Sequence, residues 1–205
     1  MPMKLDFGKT ALKINVSFAV AVTLTLIIDE SGVGAIALLC CIIHEAGHII
    51  CLLILGEKPK KIELSFYGIK LERYPMSGQN TACELAVYIS GPGANLIFSA
   101  LLFLLSNISA SMRNAAIISL CVGIFNLIPC KPLDGGNILY VLLCRNTKQR
   151  TAEKICLFVS VAVFVPLIIC GFCFLKINHN ITLLAVALYV AITCFFEYKS
   201  KTALE

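Results

Sequence analysis

The residues with the most chemistry to offer stand close together: His44, Glu45 and His48, in the order HExxH. On a helix, positions i and i+4 share a face, so both imidazoles can reach one zinc ion while Glu45 acts on the water that the ion holds. The run around them, 33 to 55, is otherwise apolar, and a bilayer core of ~30 Å takes about 20 helical residues to cross. An ionisable group at mid-bilayer costs at least ~2.5 to 3.5 kcal/mol. A carboxylate flanked by two histidines at that depth reads as a metal site before it reads as a structural polar cluster.

Two histidines leave zinc short of a third protein ligand. Asp134, in Pro132-Leu133-Asp134-Gly135-Gly136, is the other carboxylate well inside an apolar crossing. At ~1.5 Å per helical residue, His44 and His48 lie ~16 and ~10 Å from Leu55, and Asp134 lies ~15 Å from Cys144, so all three meet at similar depth. A helix N-cap after a proline break is the plainer role for Asp134, and capping and ligation are compatible. Glu84 is the rival ligand, but it starts its span at the cytoplasmic edge, too shallow for His44. The expected content is one zinc per chain.

These side chains need elements that carry them into a membrane. Of 205 residues, 59% are apolar and 14% charged, and the mean hydropathy is +0.89. Soluble domains carry about a quarter charged residues, so a soluble enzyme is excluded. Six crossings are expected, near 12 to 28, 33 to 55, 82 to 105, 115 to 144, 155 to 175 and 181 to 196. The fourth would reach ~45 Å as one helix, which is too long. Pro129, Pro132, Gly135 and Gly136 break it between Asn126 and Gly136, and irregular backbone at depth must be buried in protein or line a wet cavity. With the N-terminus inside, every Lys and Arg falls on the cytoplasmic side except Arg113, Lys176 and Lys131, which predicts an N-in, C-in topology. The net charge of +5 therefore orients spans, and no nucleic-acid signature is present. The eleven cysteines sit mostly inside apolar runs and read as span filler, the Cys170–Cys173 pair included. Between the second and third crossings, Ile62, Leu64 and Phe66 alternate with polar residues and the pattern resumes at Ile69 and Leu71, predicting a short hairpin at the cytoplasmic interface.

Three motifs in order, His44-Glu45-Ala46-Gly47-His48, Ser90-Gly91-Pro92-Gly93-Ala94-Asn95, and Asn126-Leu127-Ile128-Pro129 with Pro132 to Gly136, resemble the site-2 protease family of intramembrane zinc metalloproteases. They cover that family's three-span core, about half the chain. The size and six-span layout are most similar to the bacterial branch that includes the sporulation protease acting on a sigma-factor precursor. A CBS domain, common in that branch, is not expected after Glu205, nor is there room for a PDZ domain between spans. The resemblance implies that Asp134 completes the zinc site and that Asn95 sits near the substrate carbonyl. An amide NH2 can donate to the oxyanion formed there. Interhelical hydrogen bonding is the plainer role for Asn95, and close backbone packing the plainer one for Gly91, Pro92 and Gly93.

The expected fold is an all-α polytopic membrane protein with a cytoplasmic-side hairpin and a broken fourth span. It forms a single domain over 1 to 205, with its catalytic core at about 33 to 144. The expected activity is zinc-dependent hydrolysis of a peptide bond in or near a transmembrane segment. Glu45 and Asn95 are the catalytic residues, and His44, His48 and Asp134 the metal ligands. Expected partners are a membrane-protein substrate and the bilayer, with room for a regulatory membrane partner. The bacterial cytoplasmic membrane is the expected location, with the site nearer its cytoplasmic face. A metal transporter or sensor using the same ligands, or a membrane zincin with a glutamate ligand, is the alternative.

Overall fold

A computed structural model of the chain describes residues 3–7, 10–14, 31–57, 59–65, 68–73, 81–105 and 109–178, with isolated positions between 20 and 29 and between 184 and 194. The chain divides into two compact units, Met1–Phe125 and Asn126–Glu205.

The first unit holds one four-stranded sheet, β1 (Met3–Phe7), β2 (Thr10–Ile14), β3 (Pro59–Ser65) and β4 (Gly68–Arg73), in that spatial order. β1 and β2 pair antiparallel, Met3 opposite Ile14. β2 runs parallel to β3, with Leu12 opposite Ile62 and Ile14 opposite Leu64. β3 and β4 pair antiparallel, with Ile62 opposite Leu71 and Leu64 opposite Ile69. Leu12, Lys13 and Ile14 are thus strand residues, which corrects the expected start of the first crossing at 12. Their period-two alternation runs without a break into the apolar residues that follow, and that continuity hid it. The rest of that crossing, and the sixth, lie largely outside the described residues.

Helix α1 (Val33–Ile54) has a built start and a built end. Asp29 accepts hydrogen bonds from the Ser31 hydroxyl and from the amides of Ser31 and Gly34, at 2.5, 3.2 and 2.6 Å. These bonds, the Ser31 hydroxyl's first, hold the Asp29 carboxyl below the usual carboxylate range. At the far end Gly56 is left-handed, φ 75°, and the amides of Gly56 and Glu57 donate to Leu53 and Leu52, a Schellman closure. The buried side of α1 is Cys40, His44, His48 and Leu52, one residue every four.

Two more helices complete the described part of this unit, α2 (Thr81–Leu104) and α3 (Ala110–Asn126, whose last residue opens the second unit). α2 stays helical through Pro92 and buries Val87, Gly91, Pro92, Asn95 and Ser99. α1 and α2 touch closely at Gly47, where a Cβ would stand 2.5 Å from the Ser90 carbonyl oxygen. α3 meets α2 through its small residues Ala116, Ser119 and Gly123. Ser99 donates to the Ala116 carbonyl at 2.7 Å and Ser119 to the Asn95 carbonyl at 2.9 Å. In lipid, where apolar side chains gain little from meeting each other, small residues and hydroxyl bonds are what hold helices together.

The second unit contains α4 (Asp134–Cys144) and α5 (Gln149–Asn178). The expected fourth crossing is two helices, α3 and α4, with residues 127–133 non-helical between them. Helix resumes at Asp134, earlier than the expected end of the break at Gly136. Leu133, not Asp134, is the N-cap residue, so the capping role weighed for Asp134 is corrected. Both glycines are forced by backbone. A Cβ on Gly135 would strike the carbonyl oxygens of Leu127 and Ile128, and one on Gly136 the backbone of Cys130 and Lys131. The Lys131 amide donates to Ser160 at 3.1 Å, and its ammonium lies 4.1 Å over the Tyr140 ring.

α1, α2 and Gln149–Ile177 of α5 are long and apolar enough to cross a bilayer. Exposure is inverted relative to a water-soluble protein. Ile54, Leu104, Phe158 and Ile177 are 75% exposed or more, whereas His44, His48, Asn95, Ser99, Ser119 and Ser160 are buried. Such a surface suits hydrocarbon, and the chain is an integral membrane protein.

Candidate metal centre

The buried stripe of α1 sets His44 and His48 one helical turn apart, each 6% exposed. Their Nε2 atoms are 3.2 Å apart, with the rings edge-on at 83°. His48 Nδ1 lies 2.7 Å from the Val87 carbonyl, an acceptor only, so Nδ1 carries the proton and Nε2 keeps its lone pair for a metal. Gly91 makes room for this ring, since a Cβ there would overlap it. Gly93 meets nothing, so within the GPG sequence it is Gly91 that shapes the site. Glu45, half-buried, follows His44 on the same helix.

Asn95 is fully buried, with its side-chain nitrogen 3.3 Å from His44 Nδ1. Ser119 stands behind it, its hydroxyl on the Asn95 carbonyl and within reach of the Cys40 thiol. Two contributors escaped the sequence reading. Val87 acts through its main chain, which no residue type signals, and Ser119 looks like any small residue in an apolar helix.

In the second unit Asp134 is the first residue of α4 and half-buried. Its carboxylate stands in the first turn of that helix. Among the described residues, His44 and His48 of the first unit offer two imidazole nitrogens and Asp134 of the second a carboxylate oxygen, the donor types of a metal site. The donor set matches the three-ligand zinc sites that keep one position open. Glu84, half-buried in the first turn of α2, is not in that group.

The solved structure of the site-2 protease from Methanocaldococcus jannaschii matches 97% of this chain and 95% of its own, with a TM-score of 0.72 and 22% identity. The chain has the site-2 protease fold. Residues 105–167 match peptidase family M50, the stretch that includes the break and Asp134. A zinc metalloprotease of the same archaeon is 28% identical over 73% of this chain and 44% of its own length. Stage IV sporulation protein FB of Bacillus subtilis is 26% identical over 80% of this chain and 58% of its own. The chain spans about half the length of these relatives. Within the site-2 protease fold, the buried histidines, Glu45 and Asn95 belong to α1 and α2, upstream of the M50 match.

Proposed function

We propose that this chain is an intramembrane zinc metalloprotease that hydrolyses a peptide bond in or near a transmembrane segment of another membrane protein. The observation that carries the reading is the buried His44–His48 pair, Nε2 to Nε2 3.2 Å, beside Glu45 on a helix able to cross a bilayer. The fold, the M50 match and the name of the archaeal zinc metalloprotease relative support it. His44, His48 and Asp134 would hold the ion, one per chain, within a catalytic core at about 33 to 144. Zinc, when bound, supplies a Lewis acid that makes water a nucleophile near neutral pH and polarises the scissile carbonyl.

Glu45 takes a proton from the attacking water and returns it to the leaving amine. A helical substrate hides its amides, so the segment to be cut must unwind. β4 is an edge of the sheet, and an extended segment can pair along it by strand addition. The distribution of Lys and Arg supports an N-in, C-in topology and a site nearer the cytoplasmic face, in keeping with a bacterial cytoplasmic membrane.

The deciding experiment measures zinc content and cleavage of a model transmembrane substrate in the full chain and in Glu45→Gln. The variant is expected to keep about one zinc and to lose hydrolysis, because an amide cannot accept the proton. Wild-type cleavage by Glu45→Gln would end the reading. Metal transport by the chain without any cleavage would replace the reading with a transporter.

A further inference from the structure

Asn95 is wholly buried, yet its amide nitrogen ends on a ring nitrogen of His44 and not on a neighbouring backbone. Behind it, the Ser119 hydroxyl donates to the Asn95 carbonyl at 2.9 Å and lies 3.5 Å from Oδ1. His48 has the same kind of support in simpler form, the Val87 carbonyl on Nδ1. Each ring is thus held from the nitrogen opposite the one it turns toward its partner. We propose that Asn95 is a positioning residue for the metal centre: anchored by Ser119, its carboxamide holds His44 through Nδ1 and keeps Nε2 turned to the ion. The proposal rests on His44 being a ligand, as argued above.

A count of protons favours an amide at this place. A neutral imidazole that gives Nε2 to a metal keeps its proton on Nδ1 and needs an acceptor there. A carboxamide offers an acceptor at one end and a donor at the other, the two ends are of similar size, and a half-turn exchanges them. With Oδ1 toward His44, Nδ2 faces Ser119 Oγ, whose lone pairs accept while its own proton stays on the Asn95 main chain. Asn95 therefore satisfies His44 in either tautomer. The oxyanion role asks the same amide to face the substrate, and it predicts no effect on metal binding.

The test uses the full chain in detergent, with zinc affinity read by competition with a chromogenic chelator and the cobalt form read by its visible spectrum. Asn95→Ala is expected to weaken zinc binding by about 10- to 100-fold, the usual loss on removing a group that orients a metal-bound histidine, and to change the cobalt spectrum. Asn95→Asp keeps an acceptor for Nδ1 and should restore affinity to near that of the unaltered chain. Ser119→Ala should show a smaller loss in the same direction. Ser99→Ala removes the other hydroxyl bond between α2 and α3 and should leave zinc affinity unchanged.

Unaltered zinc affinity in Asn95→Ala, with cleavage lost, would overturn the proposal and put Asn95 on the substrate. Equal weakening in Asn95→Ala, Asn95→Asp and Ser99→Ala would overturn it in favour of helix packing. If Asn95→Ala does not fold, the remaining pair decides. Weakening in Ser119→Ala with affinity held in Asn95→Asp supports positioning, and equal weakening in both refutes it. An unaltered chain that binds no zinc takes down the proposed function as well, and that shows before any variant is made.

Discussion

The histidines and Asp134 reach their places by opposite means. α1 presents its two imidazoles by unbroken helical period, and regular hydrogen bonding sets the spacing. Asp134 is delivered by a stretch that abandons the helix, residues 127–133, and restarts it with Asp134 in the first turn. The regular region needs small residues only where a neighbour touches it, at Gly47. The irregular one needs them because its own backbone folds over the new helix, at Gly135 and Gly136. A helix places ligands with little demand on the residues between them, whereas a break places one ligand by constraining nearly every residue around it.

The largest expected effect comes from removing the ligand that the break delivers. Asp134→Asn should lose most zinc and all cleavage, measured by metal content and substrate assay, while Glu84→Gln keeps both. The reverse result would move the third ligand to α2. The glycines sharpen the contrast. Gly135→Ala forces a Cβ into two carbonyl oxygens of the break and should cost more than the ~1 to 3 kcal/mol typical of an overpacked contact. Gly47→Ala presses on the Ser90 carbonyl oxygen and the Ala94 Cβ of one neighbouring helix, and should fall within that range. Thermal midpoints of the metal-free proteins check the order, and equal losses would show that the break is no more constrained than the helix contact.

The smallest effect is expected at Asp29, a half-buried group that caps α1 from outside the membrane segment. Its carboxyl lies below the usual range in the folded chain, so its contribution is present above the unfolded carboxylate pKa and is lost as pH falls through the lowered folded value. Asp29→Asn should therefore lower the thermal midpoint slightly at neutral pH, and the gap should close in acid. A gap that stayed the same in acid would mean that the cap does not depend on charge.

The same contrast explains what could be read in advance. His44, Glu45 and His48 announce themselves because a helix turns spacing into geometry, and prolines and glycines mark the break because few other residues tolerate such backbone. Asp134 could be picked out as a carboxylate at depth, but its place one residue inside α4 depends on where the helix restarts, which the sequence does not mark. Leu12 to Ile14 were misread because a strand that merges into an apolar run has no boundary of its own. Val87 could not have been found at all, since its contribution is a carbonyl that every residue carries.

The buried stripe of α1 limits how that helix can move. Its buried residues recur every four positions, Cys40, His44, His48 and Leu52, while a helix closes a turn in 3.6. Each step therefore advances by about 40°, and the stripe winds by about 120° from Cys40 to Leu52. The contacts follow this winding: His48 bonds Val87, His44 meets Asn95 further along α2, and Cys40 reaches Ser119 on α3. α1 is seated like a thread in a nut, unable to slide without turning or to turn without sliding. Under the proposed protease function, a segment to be cut would then be admitted by displacing some other part of the protein, with the helix of His44, Glu45 and His48 as the fixed post.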